Sequence, residues 1–179
     1  LFIFDILPKN CICAEVGTWK GEFSQKILNH LNPKKLYLID PWKYEPSYNC
    51  SWYGGGGEAK NQEAMDDIYD SVIEKFASNY RVKILAMSSI ETSKLFSNNY
   101  FDFVYIDACH LYEFILQDLK IWYPKIKLGG FLTGDDYNVP NSWWKDGITK
   151  AVNEFIEENK LKLSTKNNQF LIRKENKNE

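Results

Sequence analysis

Short apolar runs separated by helix-length amphipathic stretches constrain this chain more than any other feature. Ile12 to Val16 reads as a strand, followed by a helix from about Gly21 to Leu31 with Phe23, Ile27, Leu28 and Leu31 on one face. Leu36 to Ile39 is a second strand, and a helix from about Ala59 to Ala77 carries Ala64, Ile68, Val72 and Phe76. Val82 to Met87 is a third strand, with a short helix near Glu91 to Phe96, and Phe101 to Ile106 is a fourth. A helix with Leu111, Ile115, Leu119 and Trp122 on one stripe is stopped by Pro124. Phe131 to Thr133 is the fifth strand and Gly147 to Glu158 the next helix. Such alternation calls for a parallel sheet covered on both faces. The last two runs, Leu161 to Leu163 and Phe170 to Arg173, are joined by STKNNQ, too short for a parallel crossover, so they pair antiparallel. The expected fold is therefore α/β: a doubly wound sheet, mostly parallel, with a C-terminal antiparallel hairpin.

A chain of 179 residues suits a single domain over 1–179, with the polar tail 174–179 expected to fray. The net charge of −2 and scattered lysines weigh against a nucleic-acid partner, which calls for a basic face. Cys11, Cys13, Cys50 and Cys109 lack zinc-site spacing, and Cys11 and Cys13 read as small apolar filler in the first strand. No run approaches the ~20 apolar residues of a membrane span. With no signal peptide in view, the cytoplasm is the expected compartment, although Leu1 rather than Met opens the chain and leaves room for an upstream segment.

Doubly wound sheets bind ligands beyond the carboxyl ends of their strands, beside the first strand. That end reads AEVGTWKGEFS, with Gly17 and Gly21 flanking a tight turn and Glu15 before the first glycine. The dinucleotide pattern G-x-G-x-x-G is absent. A carboxylate repels a pyrophosphate but attracts an ammonium or sulfonium, and Asp40, ending the second strand, can accept two ribose hydroxyls. A positive group, a ribose and no phosphate point to S-adenosylmethionine (SAM).

These stretches, with LYLIDPW and FDFVYIDACHLYEFILQDLKIWYPKIKLGGFLTGDDY, resemble class I SAM-dependent methyltransferases of Rossmann-like fold, and among them the macrocin- and novobiocin-type sugar O-methyltransferases. The resemblance spans roughly residues 11–160. It implies that Glu15, Gly17, Thr18, Gly21 and Ser24 line the methionine part of SAM, that Asp40 holds the ribose, and that Met87, Ser88 and Ser89 border the adenine. For the two serines, helix capping is nearly as good a reading.

The fourth strand ends in YIDACH and the fifth in TGDDY, which brings Asp107, Asp135 and Asp136 to one sheet edge. Three carboxylates at one point repel one another unless a cation sits between them. An all-oxygen set with room for water suits Mg²⁺, with Mn²⁺ or Ca²⁺ as alternatives. The resemblance implies the same arrangement, in which the ion binds neighbouring substrate hydroxyls. The competing reading is a helix cap at Asp107 and a solvated turn at Asp135 and Asp136.

His110 is a candidate general base or a structural histidine at a helix start. His30, near a helix end, reads as ordinary. The aromatic loop 42–58, with Gly54 to Gly57, reads as a mobile lid, and Trp143 and Trp144 as an opposite wall. The leading expectation is a Mg²⁺-dependent SAM O-methyltransferase acting on a hydroxyl of a small polyol, sugar or glycan unit. The alternatives are a cap-ribose RNA methyltransferase and a catalytically silent SAM-binding domain.

Overall fold

Five parallel strands form where apolar runs allow them: β1 (Ile12–Val16), β2 (Lys35–Ile39), β3 (Val82–Leu85), β4 (Phe101–Ile106) and β5 (Ile126–Gly134). β6 (Leu163–Lys166) and β7 (Gln169–Arg173) complete one sheet in the order β3-β2-β1-β4-β5-β7-β6. β7 runs antiparallel to both β5 and β6. The computed structural model describes residues 2–48 and 51–176, and Cys50 lies outside them.

Six helices, α1 (Ile3–Ile6), α2 (Glu22–Leu31), α3 (Gln62–Phe76), α4 (Ser89–Ser93), α5 (Tyr112–Trp122) and α6 (Gly147–Asn159), stand among the described residues. Alternate strand residues feed two apolar layers. Cys13, Leu36, Leu38, Phe103 and Tyr105 pack with Ile27, Leu31, Val72 and Phe76 of α2 and α3. Ala14, Val16, Ile39, Val104 and Ile106 pack with Ile115, Leu119, Trp122, Val152 and Phe155 of α5 and α6. Cys11 and Cys13 are buried free thiols within the first layer.

Several boundaries differ from expectation for local reasons. α3 starts at Gln62, because the Asn61 side chain accepts the Ala64 amide at 2.9 Å and caps it there. α4 starts at Ser89, because Ser88 and Glu91 form a capping box. β5 begins at Ile126, well before Phe131, since the buried Ile126 pairs with Phe101 of β4 ahead of a bulge. The hairpin turn narrows to Asn167 and Asn168, both left-handed. α1 carried no periodic signal in four residues, yet Ile3 is fully buried. Lys174, expected to fray, is held to the sheet: its amide donates to Gly130 O at 2.8 Å and its Nζ to Ile126 O at 2.7 Å.

Residues 42–48 and 51–58 form a built cap rather than a featureless loop. Short 3₁₀ turns cover Pro46–Tyr48 and Trp52–Gly54, and the Glu45 amide donates to Tyr53 O at 2.9 Å. A Cβ on Gly54 would lie 1.8 Å from the Tyr48 carbonyl, whereas Gly57 has open space around it.

Candidate active site

Strand register creates the site. Val16 is level with Ile39 and with Ile106, and Ile106 is level with Gly134. The residues that follow, Gly17, Asp40, Asp107 and Asp135, therefore leave the sheet at one edge. A cavity of about 880 Å³ opens there, within the range typical of small-molecule sites. The strand order reverses between β1 and β4, so the cavity occupies the switch point of the sheet.

On the β1–β2 side the chain answers its own carboxylates. Glu15 is 1% exposed, and the Ser24 hydroxyl donates to its Oε2. Burial pushes the Glu15 carboxyl well above the ordinary carboxylate range, opposed by Ser24. Asp40 Oδ2 accepts the Trp19 amide at 2.9 Å and Oδ1 the Trp42 amide at 2.8 Å. Each oxygen keeps a free lone-pair direction. Gly17 has φ +90°, and a Cβ there would come within 2.0 Å of the Asp107 carbonyl. Only glycine permits that approach. Thr18 is buried and its Oγ1 has no hydrogen-bond partner.

The β4–β5 side is less settled. His110 Nε2 lies 2.8 Å from Asp136 Oδ2 and 3.4 Å from Asp107 Oδ1. Neither contact has hydrogen-bond alignment, so this buried nitrogen lacks a true partner. Burial opposes a charge on His110, but the two carboxylates outweigh it and push the imidazole up to about 9. Trp144 stacks on the imidazole at 4.5 Å, and Trp143 meets it edge-on at 6.3 Å.

The structure brings Asp107, Asp136 and His110 together, with one ligand atom from each within 4.8 Å of the others. Asp135 does not join them. Its Oδ2 accepts from the Tyr105 hydroxyl at 3.0 Å and its Oδ1 from the Asp136 amide at 3.0 Å. The expected carboxylate trio is thus two carboxylates and an imidazole in this structure, with Asp135 bracing the backbone that carries Asp136.

Among the expected site residues, Glu15, Gly17, Thr18, Asp40, Ser88 and Ser89 of the cofactor set and Asp107 of the metal set line the cavity. Gly21 and Ser24 act one step back: Gly21 starts α2 with φ 69°, and Ser24 holds Glu15. Met87 is not on the cavity wall. The Ser88 side chain is engaged in the α4 capping box, while the Ser89 hydroxyl donates to Asp118 and accepts Trp122 Nε1 at 2.8 Å.

Three contributors escaped sequence reasoning. Tyr105 donates to Asp135 and accepts from Gln169 Nε2 at 3.1 Å, a chain that spans β4, β5 and β7. Asp118, 5% exposed, lines the cavity from α5. Its signal was present, because an acid three residues after Ile115 interrupts an otherwise apolar stripe.

The donor set fits both expected guests. The lone Thr18 hydroxyl and the Glu15 and Asp40 carboxylates face a space that a cationic amino acid joined to a ribose would partner. An unpartnered imidazole nitrogen between two carboxylates is what a divalent cation would complete.

A family model described as a methyltransferase domain matches residues 14–137. Protein R132 of Acanthamoeba polyphaga mimivirus, described as uncharacterized, is 22% identical over 145 residues, which are 81% of this chain and 59% of that protein. The chain thus spans little more than half the length of that relative. The O-methyltransferase NovP is 16% identical with a TM-score of 0.65, over 97% of this chain and 75% of that one. The SAH-bound methyltransferase PaMTH1 of Podospora anserina is 14% identical with a TM-score of 0.65, over 98% and 75%. At these identities the two structures establish likeness of fold.

Proposed function

The chain belongs to the methyltransferase-domain family, and we propose that it transfers the methyl group of SAM to a hydroxyl of a small polyol, a sugar or glycan unit, at a divalent-metal centre. The observation that carries this reading is the meeting of Asp107, His110 and Asp136 on the wall of the cavity that Glu15, Thr18 and Asp40 also line. The solved methyltransferases of like fold, one of them SAH-bound, support the cofactor.

Glu15 and Thr18 would hold the methionine end of SAM, and Asp40 the ribose hydroxyls. SAM supplies an activated methyl group and leaves as a neutral thioether. Asp107 and Asp136, with His110, would hold Mg²⁺ or Mn²⁺, which supplies a Lewis acid beside the acceptor oxygen. The chain's own task is alignment and exclusion of water. Trp143 and Trp144 fix the His110 ring, and the cap residues Trp52 and Tyr53 line the cavity mouth with flat apolar surface suited to a sugar face. With the charge of Asp107 and Asp136 neutralised by a bound cation, the His110 imidazole would lose its own proton and Nε2 would be the group placed to take the hydroxyl proton.

The test is a methyl-transfer screen over sugars, catechols and capped RNA, each after chelation and again with Mg²⁺ restored. Transfer to a sugar hydroxyl that returns only with the ion is expected. Transfer to catechol or RNA alone overturns the acceptor class, and full transfer in chelator overturns the metal.

A further inference from the structure

A chain of hydrogen bonds beneath the β4–β5 edge has no part in the chemistry above. Gln169 on β7 is fully buried, and its Nε2 donates to the Tyr105 hydroxyl at 3.1 Å. That hydroxyl donates to Asp135 Oδ2 at 3.0 Å, and Asp135 Oδ1 accepts the Asp136 amide at 3.0 Å. A phenol has one proton to give. Because Gln169 fills an acceptor position of Tyr105, that proton is left to point at Asp135. The tyrosine is itself held fast, 0% exposed with the Phe23 ring stacked on it at 3.9 Å.

Two features say that this chain of bonds serves the site rather than the fold. Gln169 Oε1 is buried without a hydrogen-bond partner, a cost in stability that a leucine in its place would avoid. Asp136 holds φ 58°, a left-handed backbone that a non-glycine residue keeps when its surroundings impose it. The Asp135 carboxylate helps to impose it by accepting the Asp136 amide, and the Asp136 carboxylate then meets His110 Nε2 at 2.8 Å.

Resting on the divalent-metal reading, we propose that Tyr105, oriented by Gln169, is a positioning residue for the cation: it holds Asp135, and through Asp135 the Asp136 carboxylate, in the arrangement that binds the ion. Tyr105 is not on the cavity wall, whereas Asp135 and Asp136 are, so the tyrosine acts through them. Partners that orient a metal-binding carboxylate from behind are worth about ten- to a hundredfold in metal affinity.

Paramagnetic-resonance titration of the full chain with Mn²⁺, beside calorimetry with S-adenosylhomocysteine and urea unfolding, tests this. Tyr105→Phe keeps the ring and its stack on Phe23. It should weaken Mn²⁺ about tenfold or more, with S-adenosylhomocysteine affinity within about twofold of the wild type. It also leaves Gln169 Nε2 without a partner, so it should unfold at lower urea. Adding Gln169→Leu removes that orphaned amide, and the double variant should recover stability without recovering Mn²⁺ affinity. The double variant carries the test if Tyr105→Phe alone fails to fold. Wild-type Mn²⁺ affinity in either folded variant makes Tyr105 a core residue only, which overturns the assignment and leaves the metal reading standing. Loss of S-adenosylhomocysteine binding alongside Mn²⁺ binding means a collapsed site and overturns the assignment as well. A wild type that binds no Mn²⁺ overturns the metal reading itself, and this assignment with it.

Discussion

The two halves of the cavity differ in what answers their charged groups. On the β1–β2 side Glu15 is answered by Ser24, and Asp40 by two backbone amides at 2.9 and 2.8 Å. On the β4–β5 side Asp107, His110 and Asp136 answer only one another, and without hydrogen-bond alignment at His110 Nε2. Left-handed backbone falls on both sides, at Trp19 and Trp42 (φ 52° and 43°) on the first and at Asp136, Asn138, Asn141 and Lys145 (φ 55–61°) on the second. A pocket half whose carboxylates its own chain answers is ready for its ligand, while a half whose charges crowd together stores repulsion that an added cation relieves.

The largest expected effect removes the crowded half outright. Asp107→Ala or Asp136→Ala should lower methyl transfer by about a thousandfold, as loss of an electrostatic stabiliser does. Each should also abolish Mn²⁺ binding seen by paramagnetic resonance, with S-adenosylhomocysteine affinity unchanged. A variant that loses both ligands together would show that the halves are not independent.

Gly17 is where the halves touch, and Gly17→Ala puts a Cβ 2.0 Å from the Asp107 carbonyl at φ +90°. Backbone strain plus that clash should cost about 3 kcal/mol in urea unfolding. A neutral substitution would mean the two loops can move apart freely.

A third test uses pH on the ligand-free protein. His110 titrates at about 9 in the fold against an ordinary 6.5, so its charge stabilises the fold fully below about pH 6.5. That contribution is lost as pH rises through 9, and amounts to roughly 3 kcal/mol at most. Melting temperatures from pH 6 to 10 should fall for the wild type, fall less for His110→Asn, and flatten with saturating Mn²⁺. Equal slopes in all three would remove the carboxylate–imidazole coupling.

The smallest effect tests the ready half. Burial raises Glu15, so its ionised form destabilises the ligand-free fold as pH climbs above the ordinary 4.5. Glu15→Gln keeps an acceptor for Ser24 and should stabilise the free protein at pH 7 by about 1 kcal/mol, while weakening S-adenosylhomocysteine. Loss of stability would instead make Glu15 a structural partner of Ser24.

The readable and unreadable parts of this molecule follow the range of the interactions that make them. The limits of β1 and β4 were legible because a buried strand needs an unbroken apolar run, and α5 because its stripe and Pro124 are local. β5 was underestimated because Gly129 and Gly130 interrupt its apolar run, and Ile126 joins the sheet only through its pairing with Phe101 of β4. α1 is too short to show a period. At the site, Asp107 and Asp136 were legible as acids ending neighbouring strands. The orientation of Asp135 depended on Tyr105, 30 residues away, and that of Tyr105 on Gln169, 64 residues further on.

The sequence by itself determined the alternating architecture, the glycine turn beside the first strand and the acids at the strand ends, because each is written in spacing of a few residues. The tertiary structure alone decided which acids meet: His110 joins Asp107 and Asp136, Asp135 turns to Tyr105, and Asp118 reaches the cavity from a helix stripe. Side-chain direction at a sheet edge is set by whichever partners the packed strands and helices bring near, and those partners are distant in the chain.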